Sequence, residues 1–452
     1  MHWYEPTHRL QKYLEQQHCR PSSNQDPSPY CLLMAKAERH AESISYASVF
    51  SGGLVLCDFS GYLWSGERIF WGQPVQVLAT ILLFAIASIL WLAEPRRDAY
   101  PPILRAFLIA LTTAWVAHWI LYRIHGDAMN YTAALYVPIL LMVLLKPPRW
   151  AQVRAAVFAF AWTITTVLVL TRLLEAIGVL QIKEQPQGVI DFDEARYFLP
   201  FNDLLGIDGR WPGPFGHNGD TAMMAALLVV IAFAFWTRAS WIFLAVGVFV
   251  LTLTDGRASI GALACGLIII WMFSNARRLD WAPRWVRIVT GVLVLLAGAL
   301  LMFLRPAGLT GRERIWPAFL ELWWESPWIG VGGSGFATGN EITQQFGHAH
   351  SLYIEELARS GLIGFVAQFV ALGIGVFIAA RAAGIGYPGP LAVMVAYFVT
   401  GVTEPRNNWI EPSATWFLLI LMVLAASARL VSEERNRSTD REDDSLPSSP
   451  PA

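Results

Sequence analysis

The sequence predicts an all-α, polytopic membrane protein of about twelve transmembrane helices with two long external connections. Three observations carry this prediction. Of 452 residues, 55% are hydrophobic and 15% charged, against about 25% charged in a soluble chain. The apolar residues gather in stretches of about 20, the length that crosses a bilayer. The cations concentrate in alternate turns between those stretches, the bias that sets orientation in membranes. The composition excludes a soluble multidomain enzyme. A net charge of −1 provides no basic face for nucleic acid. Cys19, Cys31, Cys57 and Cys265 lack the close pairing of a metal site.

In chain order, residues 1–43 form a polar arm without the apolar core of a secretory signal. Residues 44–430 form the transmembrane domain. The weakest candidate span is 44–64, which contains Asp58, serines and three glycines and reads equally as an interfacial segment. Stronger spans follow at 75–93, 102–122, 131–145, 154–174, 221–236, 239–254, 258–273, 285–304, 361–380, 388–403 and 413–426. Counting 44–64 as a span puts Arg96, Arg97, Lys146, Arg149, Arg154, Arg238, Arg277, Arg278, Arg284, Arg287 and Arg381 on the cytoplasmic side. The opposite turns are poorer, with Arg68, Arg123, Arg257 and Arg406. Both termini are then cytoplasmic. The tail 431–452 is charged and rich in Pro and Ser, and its composition predicts disorder.

Two connections, 175–220 and 305–360, exceed ordinary turns and face outward on this layout. They are rich in Gly, Pro, Trp and His, so they are expected to be structured and to hold the chemistry. From Thr310 the chain reads TGRERIWPAFLELWWESPWIGVGGSGF. Thr310 and Glu313 fit a capping box that starts a helix with Arg312 in its first turn; a start at Pro317 is the alternative. Trp316, Phe319, Leu320 and Trp323 make an apolar stripe, which predicts an amphipathic helix in the membrane interface. Gly330, Gly332 and Gly335 match G-x-G-x-x-G, but no strand-to-helix context supports a dinucleotide site; a tight turn after Pro327 is expected instead.

Next comes GHAHSLYIEELARSGLIG, in which Ser351 is placed to cap a helix running through Glu355 and Glu356. His350 then sits at a helix amino terminus, where the dipole favours a neutral imidazole suited to accept a proton. His348 lies two residues away, without a third ligand at metal spacing. TDGRASIGAL puts Arg257 at the outer end of a span, and GRWPGPFGHNGD holds Arg210, His217 and Asn218 ahead of another. Arg172 and Glu175 are spaced to pair, while Arg105 and His118 lie within a span without an assigned role. Arg210, His217, Arg257, Arg312, Arg314, His348 and His350 thus fall on one side of the membrane. Guanidinium groups beside a potential base, with no metal motif and no nucleotide loop, suggest an anionic substrate handled from outside.

The order DGRASIGA, then GRERIWPAFLELWWESPWIGVGGSGF, then HAHSLYIEELARSGLIG resembles the O-antigen ligase and O-antigen polymerase superfamily, and PFGHNGDTAMMAAL resembles that family's re-entry segment. The motifs cover roughly residues 210–365. The resemblance implies a GT-C-like membrane glycosyltransferase of the bacterial inner membrane. Such an enzyme transfers a glycan from an undecaprenyl-pyrophosphate carrier to an acceptor hydroxyl, with inversion, no metal and no cofactor. It implies that Arg257 and Arg312 clamp the pyrophosphate and that His350 activates the acceptor. The family usually has Asn after this histidine where this chain has Ser351, so His348 stands as an alternative base. A lipid or glycan acceptor, membrane lipids as surroundings and no nucleic acid partner complete the expectation. Ligase, polymerase and protein O-oligosaccharyltransferase branches share these motifs; a transporter of lipid-linked glycan is the alternative of another class.

Overall fold

The computed structural model describes residues 45–63, 69–93, 101–127, 136–178, 211–274, 312–402 and 414–445, except 147, 212, 216, 217 and 255, with short pieces between 285 and 292. Among these residues the ordered elements are all helices: α1 (Tyr46–Leu63), α2 (Ile69–Ala93), α3 (Pro102–Ile124), α4 (Tyr136–Leu145), α5 (Trp150–Ala176), a 3-10 turn (Gly213–Phe215), α6 (Asn218–Ala234), α7 (Ser240–Thr254), α8 (Arg257–Phe273), α9 (Arg312–Glu325), α10 (Gly332–Thr338), α11 (Glu341–Phe346), α12 (Leu352–Gly384), α13 (Gly389–Gly401) and α14 (Ala414–Ser445).

Four of these are long and apolar enough to cross a membrane: α3, α5, α12 and the Ala414–Glu434 part of α14. Shorter apolar helices, among them Gly219–Ala234, Ser240–Thr254 and Ala258–Phe273, complete the bundle. The protein is a multi-pass membrane protein. The expected span at 285–304 lies largely outside the described residues, as does the arm 1–43. At the other end of the chain, α14 is helical to Ser445, and the rest of the expected tail, 446–452, lies outside the described residues. An established transmembrane helix needs no new nucleus, so its charged extension propagates at low cost.

Burial sorts the helices by their sequence pattern. Beyond its first turn, which holds Asp220 and Thr221, α6 is apolar all round, and its residues from Asp220 to Ala232 are all buried, the position expected of a helix without a polar face. α14 is likewise buried from Ala414 to Ser427. The outer helices instead show large apolar side chains to their surroundings, including Leu78, Ile89, Leu170, Trp241 and Phe377. Such an exposed apolar belt suits lipid rather than water. The weakest span in sequence, 44–64, forms α1 and packs between α2 and α5. Its low hydropathy has a packing reason: a Cβ at Gly52 would meet the Thr163 hydroxyl at 2.9 Å and one at Gly53 would meet Leu83 at 2.2 Å. Small residues let membrane helices approach this closely.

Chain direction places the helix ends in two groups. Gly256 lies against Ala222, Gly401 against Leu352, and the Trp211 amide donates to the Leu253 carbonyl. These ties bring the starts of α6, α8 and α12 to the same end as the finish of α13. At the opposite end, Gly389 lies against Ala234, and Trp150, Phe235 and Tyr387 form an aromatic cluster under the Arg429 guanidinium, 4.9 Å from the Trp150 ring. Burial pushes the Tyr387 phenol up, and Arg429 and Arg154 offset this only in part. Lys146 also sits at this end, donating to the Trp91 carbonyl at 2.7 Å where α2 finishes, a favourable site for a cation.

The longest helix, α12, is broken. Gly361 has φ 62° and ψ −168°, so the element is two helices joined at a bend. The segment 327–331 fills the break: the Leu362 amide donates to the Pro327 carbonyl (2.9 Å), the Ile363 amide to the Trp328 carbonyl (3.0 Å), and the Val331 amide to the Ala358 carbonyl (2.9 Å). The backbone groups that a break exposes are thereby satisfied. A Cβ at Gly361 would lie 2.4 Å from the Trp328 carbonyl carbon, and one at Gly330 2.4 Å from the Arg359 carbonyl. Gly361→Ala is therefore expected to destabilise the protein by about 1–3 kcal/mol or more, seen as a lower midpoint in thermal unfolding of the detergent-solubilised protein. An unchanged midpoint would show that the break tolerates a side chain.

Candidate functional site

At the end of the bundle marked by Arg257 and Leu352, α9, α10, α11 and the first half of α12 form a small cap with its own core. Ile315, Phe319, Leu322, Phe336, Ala349 and Ala358 are buried together, with Trp323, Ile342, Phe346 and Ile354 around them. α9 starts by Arg312, so the start at Pro317 does not apply. Its inward stripe is Ile315, Ala318, Phe319 and Leu322, not the predicted Trp316, Phe319, Leu320 and Trp323. Aliphatic side chains fill the tight contact with α12, while Trp323 takes the flank, where its indole N–H donates to the Pro327 carbonyl at 3.0 Å. Trp324 and Trp328 are exposed, as expected of an interfacial helix.

The two histidines lie on the loop between α11 and α12. Asn340 caps α11, accepting from the Thr343 amide at 3.0 Å, and Gly347 ends it in the left-handed conformation. His348 and His350 are half-buried, their rings 4.1 Å apart and edge to face. His350 is at φ 50°, the one positive φ among described non-glycine residues. A strained backbone of this kind persists only where the surroundings fix it. Ser351 occupies the N-cap position of α12 as predicted, but its side chain makes no capping hydrogen bond. The Glu355 carboxylate instead accepts from the Ala349 amide at 3.4 Å.

Behind this loop is a buried polar network that the sequence reading left unassigned. His118 and Tyr122 share one face of α3; Glu355, Glu356, Arg359 and Ser360 lie on the first half of α12. His118 is hydrogen-bonded to Glu356 through Nε2, and the Ser360 hydroxyl donates to the same carboxyl oxygen. The His118 Nδ1–H donates to the Ala114 carbonyl at 2.7 Å, so one further proton is shared between Nε2 and Glu356. Arg359 donates to the Tyr122 hydroxyl (2.6 Å) and to Glu355 (2.7 Å), with its guanidinium 5.1 Å from the Phe336 ring. Immediately after α3, Asp127 accepts from the Gly333 and Ser334 amides at 2.6 and 2.8 Å, capping α10, and a His125 ring nitrogen donates to the Ile329 carbonyl at 3.0 Å. The sequence signals were the i,i+4 spacings and an ionisable residue inside a span, but the partners are more than 200 positions apart.

Of the predicted site residues, Arg312 is half-buried, one turn before Ile315, whose cluster contains Ala349 beside His350. Arg314 is exposed. Arg257 is the first residue of α8, at the same end of the bundle; its side chain lies outside the described residues, as do Arg210 and His217. Arg172 and Glu175 pair as expected, at 3.3 Å, and Glu175 also accepts from the Trp211 indole at 2.8 Å. Arg105 is exposed in the first turn of α3.

The described helices thus form a membrane bundle carrying a small helical cap at the end where α8 starts. The family model described as O-antigen ligase matches residues 240–369, and this part of the chain is similar to that family. The match takes in α7, α8, the cap, both histidines and the break in α12. A comparison with curated proteins gives no match.

Glu356→Ala would leave His118 buried opposite an apolar gap. Breaking a buried pair by removing one partner costs about 3–5 kcal/mol. The variant should unfold at clearly lower temperature than wild type, whereas Glu356→Gln, which keeps a hydrogen-bonding group, should fall between them. Equal melting of all three would remove the pair from any structural role.

Proposed function

We propose that the protein is an O-antigen ligase-like glycosyltransferase of the bacterial inner membrane, with about twelve spans in a GT-C-like arrangement and its site on the extracytoplasmic side. The observation that carries this reading is the gathering of the α8 start at Arg257, the α9 start at Arg312 and the His348–His350 loop at one end of the bundle. The charge pattern of the opposite end, with Lys146, Arg154 and Arg429, supports placing that end in the cytoplasm.

In the proposed reaction the donor is a glycan linked to undecaprenyl pyrophosphate. Arg257 and Arg312 hold the pyrophosphate, with Arg210 and Arg314 contributing charge and His217 and His348 lining the site. Guanidinium groups suit this role because they stay charged and bind phosphate oxygens in pairs. His350 takes the proton from the acceptor hydroxyl as that oxygen bonds to the anomeric carbon. The bond from that carbon to the phosphate oxygen breaks, undecaprenyl pyrophosphate leaves, and the sugar configuration inverts. The arginines stabilise the charge that develops on the leaving group, so neither a metal nor a cofactor is required. The acceptor is a lipid-linked core in the ligase reading; in the polymerase and protein O-oligosaccharyltransferase readings it is a second lipid-linked glycan or a protein hydroxyl.

Purified protein in vesicles, given a lipid-linked donor and candidate acceptors, tests the proposal. Arg257→Ala, Arg312→Ala and His350→Ala should each lower transfer by about 10²-fold or more, and chelation with EDTA should leave the rate unchanged. Mass spectrometry of the product identifies the acceptor. Transfer that survives all three substitutions would refute the enzymatic reading, and a pure protein that only moves the donor across the membrane would establish the transporter instead.

A further inference from the structure

The base proposed above sits on a loop of strained backbone, and the structure shows what holds that loop. Ala349, the residue between the two histidines, is fully buried in the cap core. Its amide donates to one oxygen of Glu355, and the other oxygen accepts from Arg359 at 2.7 Å. Arg359 in turn donates to the Tyr122 hydroxyl at 2.6 Å. The Glu355 and Arg359 side chains are 8% and 14% exposed, so the line is shielded from water, where charge-assisted hydrogen bonds are strongest. Tyr122 belongs to α3, which packs along α12. A continuous tie therefore runs from a transmembrane helix to the amide of Ala349, the residue that precedes His350.

We propose that Glu355 is a positioning residue for His350, oriented by Arg359 and Tyr122; this rests on the reading of His350 as the acceptor-activating base. Glu355 reaches back from the first turn of α12 to an amide ahead of the N-cap, a task like that of the second residue of a capping box, and here the Ser351 side chain makes no capping hydrogen bond. Its carboxylate also sits at the positive end of the helix dipole. Without it the Ala349 amide loses its acceptor, and the left-handed backbone of His350 loses one of the contacts that define it. The imidazole would then sample positions out of line with the acceptor hydroxyl. The pyrophosphate-binding arginines lie on α8 and α9 and would be untouched.

The test uses the full-length protein in vesicles, with steady-state glycan transfer and hydrogen–deuterium exchange measured together. Glu355→Ala is expected to lower kcat by up to about 10²-fold, the scale of a misplaced catalytic group, while donor KM stays within about twofold. Glu355→Gln keeps an oxygen for the Ala349 amide and should recover most of the rate. Tyr122→Phe should show a smaller loss in kcat. Exchange in the peptide spanning Ala349 should rise in the alanine variant and not in the glutamine variant. In a His350→Ala background, Glu355→Ala should cause no further loss. Unchanged kcat, a loss expressed only in donor KM, unchanged exchange at Ala349, or an equal loss with and without His350 would each overturn the proposal. Should Glu355→Ala fail to fold, Glu355→Gln and Tyr122→Phe decide by the same readouts. Wild-type transfer in His350→Ala alone would instead overturn the assignment of the base, while the exchange measurement would still report on the tie itself.

Discussion

The break in α12 at Gly361 is the constraint from which the candidate site follows. A transmembrane helix cannot stop and restart without exposing amides on one side of the break and carbonyls on the other, and a membrane offers these groups no water. This chain satisfies them with its own residues 327–331, whose backbone enters the gap and bonds to both halves. Once that segment is fixed, α9 before it and α10 after it are fixed too. The first half of α12 becomes free to lie within the cap rather than continue the line of the bundle. The His348–His350 loop is the entry to that half-helix.

A second set of interactions makes the cap rigid with respect to the bundle. α3 holds α12 through His118 and Tyr122, and the residues just beyond it hold the inserted segment and α10 through His125 and Asp127. These four residues are spaced so that one helix end reaches α10, the inserted segment and the first half of α12. Buried ionic groups contribute little net stability compared with apolar packing, but removing one partner is expensive. Their value here is geometric: each accepts only one arrangement of its partner. That suits the proposed site, in which a base on one element would act on a substrate held by arginines on two others.

Much of the bundle was legible in the sequence because its signals are local. Runs of apolar residues, the segregation of cations and the start of α12 after Ser351 each depend on neighbours within one helix. Arg172 and Glu175 are another local pair. The amphipathic character of α9 was legible, but its inward stripe was misassigned by one position, because large tryptophans outweigh Ile315, Ala318 and Leu322 in a count of apolar character. Packing prefers the smaller side chains under α12 and leaves the indoles at the edge. The glycines at 330, 332 and 335 mark a turn in the sequence, but their contacts do not show there: Gly330 lies against the Arg359 carbonyl, Gly332 against His125 and Asp127, and Gly335 against Val331. The same holds for His118, whose role required Glu356, 238 positions away. Hydrophobic periodicity carries no information on such pairings.

The central claim is spatial: the start of α8 at Arg257 and the His350 loop lie at one end of the bundle. The most direct measurement is the distance between spin labels at positions 257 and 350 in a cysteine-free background, taken by pulsed electron spin resonance in lipid. The fold described here predicts a distance well below the hydrocarbon thickness of about 30 Å. A distance equal to or above that thickness would place the two residues on opposite faces of the membrane and contradict the account.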